Sequence, residues 1–157
     1  MENIKLGEDN ILIIGILDAK GNDTGNRLEF DFNDPELPLR YKNLFEKDKR
    51  NTDWLKKQLE DIETKKEIKG LFISNKEEDR LKVLNEFYKR EKEVFDIFLG
   101  EGGCDKLLNG RKFGWTSPKT ISKIIEEQIA PYFDAYMKKM ENEIEDMFKQ
   151  DDEKNVI

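Results

Sequence analysis

Histidine is absent from the 157 residues, and cysteine occurs once, as Cys104. The first absence removes the commonest general base and the commonest transition-metal ligand together. With one thiol as well, a zinc site has too few soft ligands, and no intramolecular disulfide can form. A disulfide-stapled secreted scaffold is therefore excluded, and a reducing compartment is expected. Long apolar runs are also missing. "ILIIGIL" is far too short to cross a bilayer, and the start "MENIKLGEDN" lacks the basic-then-apolar order of an export signal. A soluble, cytoplasmic protein is the expectation. No cofactor is expected.

What is abundant is charge. Charged residues make up 40% of the chain and hydrophobic ones 36%, a balance that suits long helices with solvated outer faces. The net charge of -7 works against general nucleic-acid binding, which depends on cations neutralising phosphates, so no direct nucleic-acid partner is expected. The 28 Lys and Arg are interspersed with 35 Asp and Glu, as on a solvated helix surface.

"NILIIGIL" and "NRLEFDF" flank "DAKGNDTGN", whose Gly, Asn and Asp tolerate positive φ, so residues 10–32 or so are expected to form a β-hairpin. Leu28, Phe30 and Phe32 alternate with charges, as in a strand with one buried face. The first arm is apolar throughout. Asp18, Asn22 and Glu29 have some of the spacing of a calcium loop, but Lys20 stands at the third ligand position and strands flank the segment, which excludes one.

Helices follow. Asn33, Asp34 and Pro35 suit a helix start; Leu37, Tyr41, Leu44 and Phe45 make one apolar stripe, and Trp54, Leu55, Leu59 and Ile62 another. The polar stretch 47–53 between them fits either a break or an exposed turn of one helix. Gly70 is expected to end the segment. Ser74 and Glu77 have capping-box spacing for a second helix with Leu81, Leu84, Phe87, Tyr88, Val94, Phe95 and Phe98 on one side. Ser117 and Pro118 open the last helix, whose stripe runs Ile121, Ile124, Ile125, Ile129, Phe133, Met137, Met140, Ile144, Met147. Pro131 should kink it near 127–131. The fold class expected is mainly α: an N-terminal hairpin followed by an elongated bundle of three to four amphipathic helices, one domain over 1–150 with a polar tail at 151–157.

"FLGEGGCDKLLNGRKFGWTSP" has the glycines and basic pair of a phosphate-binding loop, but it follows a helix and lacks the Gly-Lys-Ser/Thr order. Gly100, Gly102 and Gly103 instead read as a helix stop and reversal, a structural hinge in company with Pro131. Cys104 has no histidine to activate it, and no acid pair is set in apolar sequence, so no catalytic, cofactor or metal site is expected. The surface candidates are Phe133, Tyr136, Met137, Met140, Ile144 and Met147, a Met-bearing stripe with coiled-coil-like steps that either completes the core or meets a partner.

Three segments, "LEFDFNDPELPLRYKNLF", "VFDIFLGEGGCDKLLNG" and "IEEQIAPYFDAYMKK", together resemble a family of small phage and prophage proteins of low-GC Gram-positive bacteria that are like tail assembly chaperones. The family pattern has a helix start of Asn-x-x-Asp type, an Asp-x-x-Phe-Gly-Glu-Gly motif and a Pro-Tyr pair. The matching positions are Phe32 to Asp34, Asp96 to Gly102 with Leu99 as an extra residue before Gly100, and Pro131 with Tyr132. The resemblance implies a non-catalytic protein that binds the tape-measure protein, the tail-tube protein or both, with homo-oligomerisation and a frameshifted longer form open. A structural or scaffold component of the particle is the alternative, and an acidic mimic of nucleic acid a third.

Overall fold

The computed structural model describes Asn3 and residues 10–64 and 75–155, and the statements below concern those residues. The molecule is mainly helical with an N-terminal antiparallel hairpin. It divides into two compact units, Met1–Lys119 and Thr120–Ile157, taken here in turn.

In the first unit β1 (Ile11–Leu17) pairs with β2 (Asp23–Asp31), with Ile11 opposite Asp31, Ile13 opposite Glu29 and a bulge between Gly15 and Leu17. The Asp18 carboxylate fixes the turn by accepting the N–H groups of Lys20 and Asn22 at 2.9 and 2.8 Å. Because side chains alternate across a strand, an all-apolar β1 puts half its bulk in solvent. Ile16, Leu28 and Phe30 are buried, whereas Ile11, Ile13 and Leu17 are exposed.

Helix α1 (Leu37–Thr64) begins where Asp34 accepts the Glu36 N–H at 2.9 Å and the Arg40 guanidinium at 2.5 Å. Arg40 first, then that N–H, holds the Asp34 carboxyl below its ordinary range. The helix runs unbroken through 47–53, with the Thr52 hydroxyl bonded back to the Asp48 carbonyl at 3.0 Å. Of the two alternatives, the continuous one is found.

Helix α2 (Lys76–Leu99) is capped by Asn75, whose side chain accepts the Glu78 N–H at 3.1 Å. The expected cap Ser74 and the expected stop Gly70 lie outside the described residues. Helices α1 and α2 lie antiparallel, as their paired residues show. Glu63 meets Arg80, Trp54 lies under Arg90 at 4.0 Å, and Tyr41 meets Phe98 at 5.7 Å between ring centroids. Val94, Phe95, Phe98 and Leu99 are buried, while Leu81, expected on the same stripe, is exposed. The Phe98 ring also stacks on Phe30 at 5.4 Å, so one side chain joins β2, α1 and α2. The surface pairs Glu78–Lys82 and Glu86–Arg90 form at 3.2 and 3.5 Å and contribute little, since exposed pairs are typically worth under about 1 kcal/mol.

A short helix α3 (Gly103–Leu107) and a loop lead to α4 (Ser117–Ile124). Ser117 opens α4 and locks the turn behind it: its hydroxyl accepts the Gly114 N–H at 2.8 Å, and its own N–H reaches the Gly114 carbonyl at 2.9 Å.

The second unit is one helical run: the rest of α4, a π-helical turn at Ile125–Ile129, and α5 (Ala130–Asn155). Pro131 has no N–H to give Glu127, and its ring crowds that carbonyl. The chain answers with a wider turn, in which the Ala130 N–H reaches back to the Ile125 carbonyl. Helix continues through 151–155, into the polar segment. Ile121, Ile125, Ile129, Ala130 and Phe133 form its buried stripe.

Candidate functional site

The six surface candidates on α5 separate by depth. Phe133 is buried at 1% exposure; Tyr136, Met137 and Met140 are half-buried; Ile144 and Met147 are exposed at 43% and 65%. Phe148, which the sequence reading passed over, is exposed at 65%. Residues 144, 147 and 148 stand at i, i+3 and i+4, so they share one helix face. Every described side chain from 141 to 153 is exposed, and charges surround this apolar strip: Glu143, Glu145 and Asp146 near its start, and Lys149 just beyond. The signal for Phe148 was available in the sequence, as the i+4 neighbour of Ile144.

In the first unit the glycine hinge holds three distinct backbone solutions. Gly100 caps α2 at φ 98° and ψ 166°, a region essentially reserved for glycine, and its N–H reaches the Asp96 carbonyl at 2.8 Å. Gly102 precedes α3 in the left-handed region at φ 70°. Gly103 is required for space, because a Cβ there would stand 2.4 Å from the Leu99 Cβ. The Asp96 side chain ties the reversal together by accepting the Cys104 N–H at 2.8 Å. Nothing lies within 4 Å of a Cβ at Gly100 or Gly102, so the penalty there is backbone strain alone. Gly100→Ala should cost about 1–3 kcal/mol and Gly102→Ala about 1 kcal/mol in urea unfolding. Equal, near-zero losses would show that the turn tolerates a side chain.

Cys104 is fully buried, with its sulfur 3.7 Å from the Lys92 carbonyl. Burial, then the neighbouring Asp96, pushes its thiol well above the ordinary range, so it is a poor nucleophile. One carboxylate does have a pKa raised by burial, contrary to the expectation from sequence. Glu91 of α2 is fully buried, facing Asp48 and Asn51 of α1. Burial first, then the Asp48 carboxylate across on α1, raises its pKa to about 9, with Asn51 opposing. Glu91 is thus a neutral acid at pH 7. It sits inside the packed α1–α2 interface.

Among the described residues no group of three or more acidic or thiol side chains could hold a metal ion, and no helix is long and apolar enough to cross a membrane. Comparison with protein-family models, with curated proteins and with solved structures returned no match to this chain.

Proposed function

We propose that this is a non-catalytic binding protein of the tail-assembly-chaperone kind. In this reading it acts in the bacterial host cytoplasm and holds an apolar helix of a tape-measure or tail-tube protein against the distal face of α5. The observation that carries this reading is the exposed strip Ile144, Met147 and Phe148. Burying a large apolar side chain fully is worth about 1.5–3 kcal/mol, so three partly exposed ones offer roughly 3–6 kcal/mol toward a helix-in-groove contact. Methionine beside phenylalanine suits a partner surface that varies in shape.

The outer face of the hairpin gives the alternative its own support. Ile11, Ile13 and Leu17 are a second exposed apolar group, and a protein with two such surfaces suits a component that stays in the particle. Co-expression with the tape-measure and tube proteins, followed by pull-down and by assay of assembled tails, separates the two readings: the chaperone leaves, the component stays.

Met147→Glu with Phe148→Lys should preserve the fold, leaving the melting temperature within a few degrees because both side chains are largely solvated. The same pair should weaken partner capture at least about ten-fold. A folded double variant with wild-type capture removes α5 from the interface.

A further inference from the structure

The basic pair after the glycine turn has a place in the fold that its sequence context did not reveal. Helix α3 ends in a reversal of Schellman type: Asn109 has φ 52° and Gly110 φ 77°, the Gly110 N–H reaches the Asp105 carbonyl at 2.9 Å, and the Asn109 N–H reaches the Lys106 carbonyl at 3.3 Å. The Arg111 N–H bonds the Leu108 carbonyl at 3.1 Å, and Phe113 packs its ring 6.3 Å from Phe95 of α2. The loop is thereby folded back beside α2.

Between loop and helix lies a cleft of about 680 Å³, within the range of about 300–1,000 Å³ typical of small-molecule sites. One wall is the α2 face carrying Asn85, Tyr88, Lys89 and Lys92, at i, i+3, i+4 and i+7. The other is Gly110, Arg111, Lys112 and Phe113, with Asp105 at the edge. Asp105 pairs with Lys92 at 3.0 Å, while Lys89, Arg111 and Lys112 have no ion-pair partner among the described residues. Four cations thus face one cleft with one acid, in a chain whose net charge is -7. Elsewhere the charges are mixed; here one sign gathers, with an aromatic ring on each wall.

We propose that this cleft binds a small phosphorylated ligand carrying a flat ring, of the size of a nucleoside phosphate, with its phosphates on Lys89, Arg111 and Lys112 and its ring against Tyr88 or Phe113. Arginine offers the forked donors that match phosphate oxygens, and lysine adds a mobile point charge. Aromatic faces accept any flat base by stacking. The acidity of the chain favours a small ligand over a strand. A small phosphate senses charge only within about 8–10 Å at ordinary salt, whereas a long polyanion running past the cleft meets the acidic remainder of the surface. This assignment stands apart from the α5 contact and shares no residue with it.

The test uses the full chain labelled with ¹⁵N, titrated with ADP, with inorganic pyrophosphate, and with a single-stranded oligonucleotide of about ten bases. ADP should shift the amides of residues 85–92 and 110–113, with affinity that falls as salt rises. Pyrophosphate, which has no ring, should bind about five-fold or more weakly. Arg111→Glu with Lys112→Glu should reduce ADP affinity at least about ten-fold, and Lys89→Ala should reduce it from the opposite wall. All three side chains are exposed, so circular dichroism and partner capture should stay unchanged. Absence of shifts at millimolar ADP, shifts centred elsewhere, or a double variant with full affinity overturns the site. Pyrophosphate binding as tightly as ADP overturns the ring contact, and an oligonucleotide binding more tightly than ADP overturns the small-ligand assignment.

Discussion

Phe98→Ala is expected to remove about 3–5 kcal/mol of stability, a large share of the roughly 5–15 kcal/mol that holds a typical domain together. The ring is buried at the point where β2, α1 and α2 meet, stacked on Phe30 and tilted against Tyr41. Its loss leaves a cavity that three elements would have to close together, and each is held elsewhere: β2 by its pairing with β1, the helices by the Glu63–Arg80 end of their interface. Urea unfolding followed by circular dichroism measures the effect, and Phe45→Ala is the control. Phe45 lies on α1 within ring contact of Tyr41 but is mostly exposed, so its loss should cost under about 1 kcal/mol. A Phe98→Ala midpoint indistinguishable from that control would mean that the hairpin is not packed on the helices through this ring.

The second large effect belongs to pH. Glu91 ionises in the unfolded chain near its ordinary value of 4.5 but stays protonated in the folded protein up to about 9. Between those values the folded state carries one more proton than the unfolded state. Stability from this group is therefore fully present below about pH 4.5, falls as pH rises at up to about 1.4 kcal/mol per unit, and is lost once pH passes about 9. Glu91→Gln has nearly the same shape and nothing to titrate. The variant and the parent should be similar near pH 5, and the variant should be more stable by up to roughly 4 kcal/mol near pH 8. Asp48→Asn should lessen the slope, since it removes the charge that adds to burial. A constant difference between parent and Glu91→Gln from pH 5 to 8 would show that the carboxyl is hydrated or ionised in the folded state.

The same two residues show where sequence reading succeeds and fails. Phe98 was placed on the buried side of α2 by spacing alone, because helical period is a local property, and Leu28 and Phe30 were placed by the strand period for the same reason. The hairpin, the main helices and the glycine reversal were legible on these grounds. Glu91 lies on that same buried side, three residues before Val94 and seven before Phe98, yet its charge marked it as surface. For a related reason the polar stretch 47–53 fitted a break in α1 as well as an exposed turn of one continuous helix. Asp48 and Asn51 are polar there because they face Glu91 across the interface, a match between residues some forty positions apart that no local pattern contains. The basic cleft was hidden likewise: Lys89 and Lys92 read as solvated helix charges, and only the reversal at Asn109 and Gly110 sets Arg111 and Lys112 opposite them. Of the α5 candidates, spacing found the stripe but could not say where burial stops along it.

The π-helical turn at Ile125–Ile129 sets an angular phase. Each residue of an α-helix advances the side-chain direction by about 100°, and the turn accommodates one residue more than an α-helical turn would, so the stripe that begins at Ile121 is re-indexed before it reaches Phe133 and Ile144. Residue count across this segment therefore matters more than residue identity. A conservative exchange at an exposed position such as Glu126 or Gln128 leaves the compass bearing of Met147 and Phe148 alone. The loss or gain of a single residue there would swing the whole distal face by about a quarter turn, whatever its chemistry. Drift in this stretch should accordingly proceed by substitution and not by changes of length, with Pro131 keeping the extra residue in place.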